Sequence, residues 1–445
     1  MSARRTGGVL RTASAAGAGG VALVVAGARP AAAHGVGSGA LPAPPWLLSY
    51  LGAFAVLAAA VALRATWPAA RLASPTAEAG ADGGAPIRPG VGHAVGLALF
   101  ALVLVAAVVG PDTSAANIAP VAVLVVWWVG LPLISLLLGD VMRLGNPFVA
   151  VVRLVERWRG EPVAPDRPAP IWVPAAFLGA FGWFFVAYHR PGSPRAVAVL
   201  LVGYAVAAIG LGLRWGSRWL ATGEGFGALS AAVSTLAPIR RSPLPTGTAP
   251  LMLVWVGSTA FDGLASTPFW ADVAGSSTGW GRTAFNTVGL VWLTAVAAGL
   301  YLGALRVAAA LRPDRGGSAT VDATALAGPF GGALVPLALG WFVAHDLTLL
   351  LFEGQNFITL LSDPIGRGWD LIGSISNTVD YGIVEARWVS WVQVLALFAG
   401  HLAAVVLAHD LALQRLRPRT ALAVTWSVAA ASAASIVAAC LLVLG

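Results

Sequence analysis

Lysine is absent from this chain, cysteine occurs once, and charged residues make up only 10% of its 445 residues. The single Cys440 excludes an intrachain disulfide and any cluster of thiolate ligands. The lack of lysine excludes a phosphate-cradling loop with its lysine, so nothing here is built to spend a nucleotide. Six histidines are present, none in a His-x-His or His-Glu-x-x-His arrangement. With 58% hydrophobic residues and a mean hydropathy of +0.80, the chain has too much apolar surface for a water-soluble domain.

Apolar stretches fill the space that charge leaves. Ten follow the N-terminal region, at roughly 46–63, 90–110, 119–139, 171–188, 196–213, 250–269, 284–305, 328–352, 388–409 and 420–444. About 20 apolar residues rising 1.5 Å each cross a bilayer. The pattern predicts an all-α, polytopic transmembrane helix bundle of about ten spans, occupying 34–445 as a single domain.

Arginine fixes a direction. One set of alternate gaps holds Arg64, Arg71, Arg88, Arg143, Arg153, Arg157, Arg159, Arg167, Arg214, Arg218, Arg240, Arg241, Arg306, Arg312, Arg315, Arg415, Arg417 and Arg419. The other holds Arg190, Arg195, Arg282, Arg367 and Arg387. Basic loops stay cytoplasmic, so the first span is expected to run inward, with the mature N-terminus and the C-terminus outside a plasma membrane. The net charge of +8 follows from this topology, and the lipid bilayer rather than nucleic acid is the expected partner.

The first 33 residues have the order of an export signal: Arg4, Arg5 and Arg11, an apolar run from Ala13 to Ala28, then Ala31 to Ala33. Cleavage there would expose His34 as an N-terminal amine and imidazole, a pair able to hold one metal ion. The plainer alternative is that His34 opens an extended, proline-containing outer segment.

Two gaps predict short helices at the membrane surface. Around 146–158, apolar Phe148, Val151, Val152, Leu154 and Val155 alternate with Arg153, Glu156 and Arg157. The run 226–239 is too short to span and predicts interfacial or re-entrant placement. The outer segment 353–387, rich in turn residues with Trp369 as an anchor, predicts a lid.

Ionisable groups inside hydrocarbon cost several kcal/mol unless partnered, so function is sought there. Asp262, His345, Asp346, Glu353 and His401 stand out. Asp346 and Glu353 are seven apart and share one helical face. If the sixth, eighth and ninth spans are neighbours, all five form an outward-facing polar pocket. Asp262 has a duller option in the hydroxyls of Ser258, Thr259 or Ser266, and His401 in a hydrogen bond between helices. Asp140 with Arg143, and His409 with Asp410, read as interfacial pairs.

Several of these residues sit in a recognisable set. Ala33-His34-Gly35, Gly139-Asp140 through Arg143 to Asn146-Pro147, Ser258-Thr259-Ala260-Phe261-Asp262-Gly263 with Pro268 and Trp270, and Ala344-His345 with Glu353-Gly354-Gln355 are the first part. Ser362-Asp363-Pro364, Gly366-Arg367-Gly368-Trp369-Asp370, Gly400-His401 and Ala408-His409-Asp410 complete it. Together they resemble the actinobacterial multi-pass membrane proteins commonly labelled fenitrothion hydrolase. The chain departs from that pattern in Val36 to Ala40, where a basic and an acidic residue are usual, and at Asp346, where an aromatic is usual.

The resemblance implies hydrolysis of an organophosphorus triester, a reaction that a divalent metal ion with His and carboxylate ligands supports. His345, Glu353, His401 and His34 are the candidate ligands. The residues themselves point first to a secondary transporter or permease for a small solute or cation, with Pro132, Pro329 and Pro336 breaking spans and the hydrolase as the alternative. A carrier should continue its polar residues inward from His401 toward His93 or Asp140. An enzyme should have a closed inner half. A purely structural or partner-binding role is the third reading.

Overall fold

The computed structural model describes residues 41–72, 89–163, 168–239, 242–310 and 323–444. The expected signal segment 1–33, His34 and parts of four arginine-bearing gaps therefore lie outside the described residues. All regular structure within them is helical. We number the principal helices α1 (Pro45–Thr66), α2 (Pro89–Val109), α3 (Ile118–Leu138), α4 (Pro147–Arg159), α5 (Val173–Ala187), α6 (Pro194–Gly223) and α7 (Gly225–Ser234). They continue as α8 (Thr248–Ala265), α9 (Gly279–Ala310), α10 (Leu334–Leu361), α11 (Ala386–Arg415) and α12 (Pro418–Val443).

Eight helices are long and apolar enough to cross a membrane, and the chain is an all-α polytopic bundle. The two other expected spans are also helical. α5 is shorter, and α8 buries 13 residues, Thr248 through Leu264, against protein. A helix enclosed by neighbours meets little lipid, so it can be short or carry Ser258, Thr259 and Asp262 without the hydropathy of an exposed span.

Contacts at the helix ends show that the chain alternates direction. At one end His409 bonds to the Trp67 carbonyl at 3.0 Å, Gly247 abuts the Ile171 carbonyl and Gly331 abuts Ala249. At the other end the His189 amide donates to Thr283, Ser193 donates to Asp112, and the Ile118 amide donates to the Pro364 carbonyl.

Helices α2, α3, α4, α6 and α7 pack as one group, and α1 with α8 to α12 as another; α5 bridges them, packing on α7 and on α8 and α9, and α10 runs along both, against α3 on one side and α8 and α11 on the other. α10 and α11 approach unusually closely because glycine faces backbone on both. A Cβ on Gly340 would lie 2.5 Å from the Ala396 carbonyl, and one on Gly400 2.5 Å from the Pro336 carbonyl. Small residues at such crossings give membrane helices their dispersion contact.

The two short helices differ in burial. α4 begins at Asn146, whose side chain caps the Phe148 amide, and ends at left-handed Gly160. Its Phe148, Val149 and Val152 face α2 and α6 while Leu154 and Trp158 are exposed. In α7 every residue is buried, inside a surround of α3, α5, α6 and α8. The span before the outer segment is longer than hydropathy alone suggests. α10 runs on to Leu361, with Gln355 donating to the Leu351 carbonyl and Asn356 to Glu353. The irregular part that follows is tied by Asp363 to the Arg367 and Gly368 amides and packs Gly366 against Pro111 and Ala116.

Candidate functional site

Asp262 and His345 meet inside the bundle, Oδ2 to Nε2 at 3.0 Å, with side chains 17% and 5% exposed. The hydroxyls that offered Asp262 a duller role point elsewhere. Thr259 donates to the Trp255 carbonyl, and Ser266 donates to the main-chain oxygen of Asp262, not to its carboxylate. α8 supplies the acid from its last turn, and α10 supplies the base from its middle.

Asp346 is the next residue on α10, about 100° around the helix, and it faces the other group of helices. It is 1% exposed, and its Oδ1 has no hydrogen-bond partner. The Trp128 indole stands close enough to act on this carboxyl, yet its Nε1 closes no hydrogen bond either. Trp128 is placed by a π-helical stretch, Ala122–Trp127, immediately before it in α3, and packs edge-on against Phe342 at 5.3 Å. Such π segments rotate the following side chains and recur at functional sites. Thr348, also buried, leaves its hydroxyl without a partner two residues beyond Asp346.

His401 sits in the same region but on a separate branch. Its Nδ1 lies 2.7 Å from the Leu397 carbonyl, which only accepts, so Nδ1 carries the proton. Nε2 then accepts from the Ser435 hydroxyl at 3.1 Å, and Ser435 in turn accepts from the Trp341 indole at 3.2 Å. Trp341 is one turn before His345 on α10. The polar string thus reads Asp262, His345, a turn of α10, then Trp341, Ser435 and His401. Ser435 and Trp341 line a largely apolar cavity of about 120 Å³ that α8 to α12 enclose, with Ser432 below them. The Ser432 hydroxyl is buried without a partner.

Glu353 is not part of this arrangement. It lies two turns beyond His345, half-buried, and accepts from Asn356. Seven residues of helix separate Asp346 and Glu353 by about 10 Å; sharing a face does not make them share a ligand. Among the described residues no three His, Cys, Asp or Glu side chains converge to hold a metal ion. The expected ligand set of His345, Glu353 and His401 is therefore not assembled, and His34 lies outside the described residues. Gly275-Ser276-Ser277-Thr278-Gly279 has the spacing of a nucleophile elbow, but it joins two helices rather than a strand and a helix.

The inner polar pairs are anchors. Asp410 accepts from the Trp67 indole and the Arg71 and Leu72 amides, holding the segment after α1. Asp140 accepts from Ser230 at 2.9 Å, Ser242 at 2.8 Å and the backbone amide of Arg143. Burial pushes the Asp140 carboxyl up, and those three donors oppose it. Asp140 and His93 belong to the α2 to α7 group, away from the helices packed around His401. The residues passed over in the sequence are Glu224 and Tyr204. Glu224 is 0% exposed and opens α7 from within a gap that reads as a polar loop.

No family description, curated protein or solved structure matches the chain.

Proposed function

We propose that this protein is a secondary carrier for a small solute or cation, coupled to proton movement at Asp262, His345 and Asp346. The observation that carries the reading is the buried Asp262–His345 pair standing beside a third, incompletely bonded carboxylate. A bundle needs none of the three for stability, since an apolar replacement of a buried pair is often neutral or better. Proton exchange or cation binding accounts for three such groups at this depth.

Supporting features follow the same line. Ala260 and Trp341 line the 120 Å³ cavity, two residues before Asp262 and one turn before His345. Arg64, Arg143, Arg153, Arg157 and Arg415 lie toward the Trp67 end, which makes that end cytoplasmic in a plasma membrane by the distribution of basic residues. Asp262 then belongs to the outer half, and the cavity lies on its cytoplasmic side. Metal-dependent phosphotriester hydrolysis, which the family resemblance implies, uses a converging donor set, and among the described residues none is assembled.

Vesicles containing the purified protein, loaded with a cell extract and given a pH gradient, test this. Loss of particular lumenal solutes should depend on the gradient and vanish with Asp262→Asn. Gradient-independent behaviour, joined to Asp262-dependent cleavage of a nitrophenyl phosphotriester, would replace the carrier with the hydrolase.

A further inference from the structure

A second cavity, of about 160 Å³, lies in the other group of helices between α2, α3, α6 and the start of α4. Six aromatic rings line it: Phe100, Trp127, Phe148, Phe181, Tyr204 and Phe226. Several pack on one another, with Phe100 to Phe148 at 5.2 Å, Trp127 to Phe226 at 5.7 Å and Phe181 to Phe226 at 5.0 Å. One acid, Glu224, completes the lining.

The hydrogen-bond donors around Glu224 work against the desolvation that its full burial imposes. Oε1 accepts from Asn146 Nδ2 at 3.0 Å and from the Gly227 amide, while Oε2 accepts from the Phe226 amide at 3.0 Å and from the Tyr204 hydroxyl. The Tyr204 oxygen itself accepts from the Phe226 amide at 3.3 Å, which leaves its proton for Glu224. Four donors on two oxygens suit a carboxylate, not a carboxylic acid. No arginine or histidine pairs with it among the described residues. Dipoles hold this charge in place without neutralising it.

Aromatic faces and a buried carboxylate together are the chemistry that recognises an organic ammonium ion. The size agrees, because a cavity of about 150 Å³ admits a benzene-sized molecule. Leu99, which lines the cavity, is 58% exposed on the bundle surface, the side from which a membrane-soluble amine would arrive. The cavity beside Trp341 is the internal contrast, since no acid lines it.

We propose that the aromatic cavity over Glu224 is a binding site for a small organic ammonium ion. Four bonds anchor the carboxylate at one end, the rings surround the cation, and the apolar remainder of the ligand lies toward Leu99 and Leu200. This site does not depend on the carrier reading of Asp262 and His345.

Equilibrium dialysis of the full-length protein in nanodiscs against radiolabelled benzylammonium tests it, with benzyl alcohol as the neutral counterpart. One saturable site is expected, with benzyl alcohol at least tenfold weaker and Glu224→Gln weakening benzylammonium at least tenfold, about 1.4 kcal/mol. Glu224 also opens α7, so Leu200→Trp is the companion variant: it fills the cavity away from the carboxylate bonds and should abolish binding in a folded protein. Equal affinity for the alcohol and the amine, undiminished binding in Leu200→Trp, or no saturable binding in the unmodified protein would each overturn the proposal.

Discussion

His345 and Asp346 are consecutive on α10, yet they serve opposite sides of the bundle: His345 pairs with Asp262 on α8, and Asp346 faces Trp128 on α3. α10, which packs on helices of both groups, therefore carries both ionisable groups, and a rotation or tilt of α10 would change both environments together. That coupling is what alternating access asks of a central helix.

The pair itself is the first test. Asp262→Ala leaves the His345 imidazole beside an apolar hole, and removing one partner of a buried pair costs about 3 kcal/mol. The expected result is a clear drop in the thermal midpoint in detergent, together with loss of gradient-driven flux. An unchanged midpoint would show that the pair is solvated and not part of a closed site.

Asp346 should behave in the opposite way. Its Oδ1 has no hydrogen-bond partner, so replacing the carboxyl by a similar-sized apolar group relieves an unmet polar atom worth about 1–3 kcal/mol. Asp346→Leu is expected to melt at least as high as the unmodified protein while carrying no solute. A strongly destabilised variant would mean that the carboxyl has partners essential to the fold.

The α10–α11 crossing gives a purely structural prediction. A methyl group on Gly340 or Gly400 would meet backbone oxygen at 2.5 Å, and backbone cannot rotate away as a side chain can. Gly340→Ala and Gly400→Ala should each destabilise by about 1–3 kcal/mol, and should shift His401 relative to Ser435. Gly299→Ala, with nothing within 4 Å of the added carbon, is the neutral control in the same unfolding experiment.

Asp112 sets a pH dependence outside the spans. The Arg195 amide, the Ser193 hydroxyl and the nearby arginines hold its carboxyl below the usual aspartate range, tying the turn after α2 to the start of α6. Its contribution is present above the ordinary aspartate pKa and is lost as pH falls through the lowered folded value. Asp112→Asn should flatten that part of the stability–pH curve and leave the protein less stable at neutral pH. Superimposable curves for the two proteins would remove Asp112 from this role.

Much of the fold was legible in the sequence because crossing a bilayer imposes a one-dimensional rule: about 20 apolar residues per pass. That rule located ten helices, including α5 and α8, whose length or polarity sets them apart. It overlooked Glu224, since a carboxylate between Gly223 and Gly225 reads as a loop residue until α7 is seen to be enclosed. It also grouped Glu353 with Asp346 by face alone, although the rise of one helix keeps them two turns apart.

The all-helical architecture, the apolar passes and the skewed arginine distribution follow from local composition alone. Which acids and imidazoles meet was decided only in three dimensions. Asp262 and His345 are 83 residues apart, and His401 reaches Trp341 only through Ser435 on a third helix. Helix order in a bundle depends on how small residues such as Gly340 and Gly400 let backbones approach, and hydropathy carries no record of that.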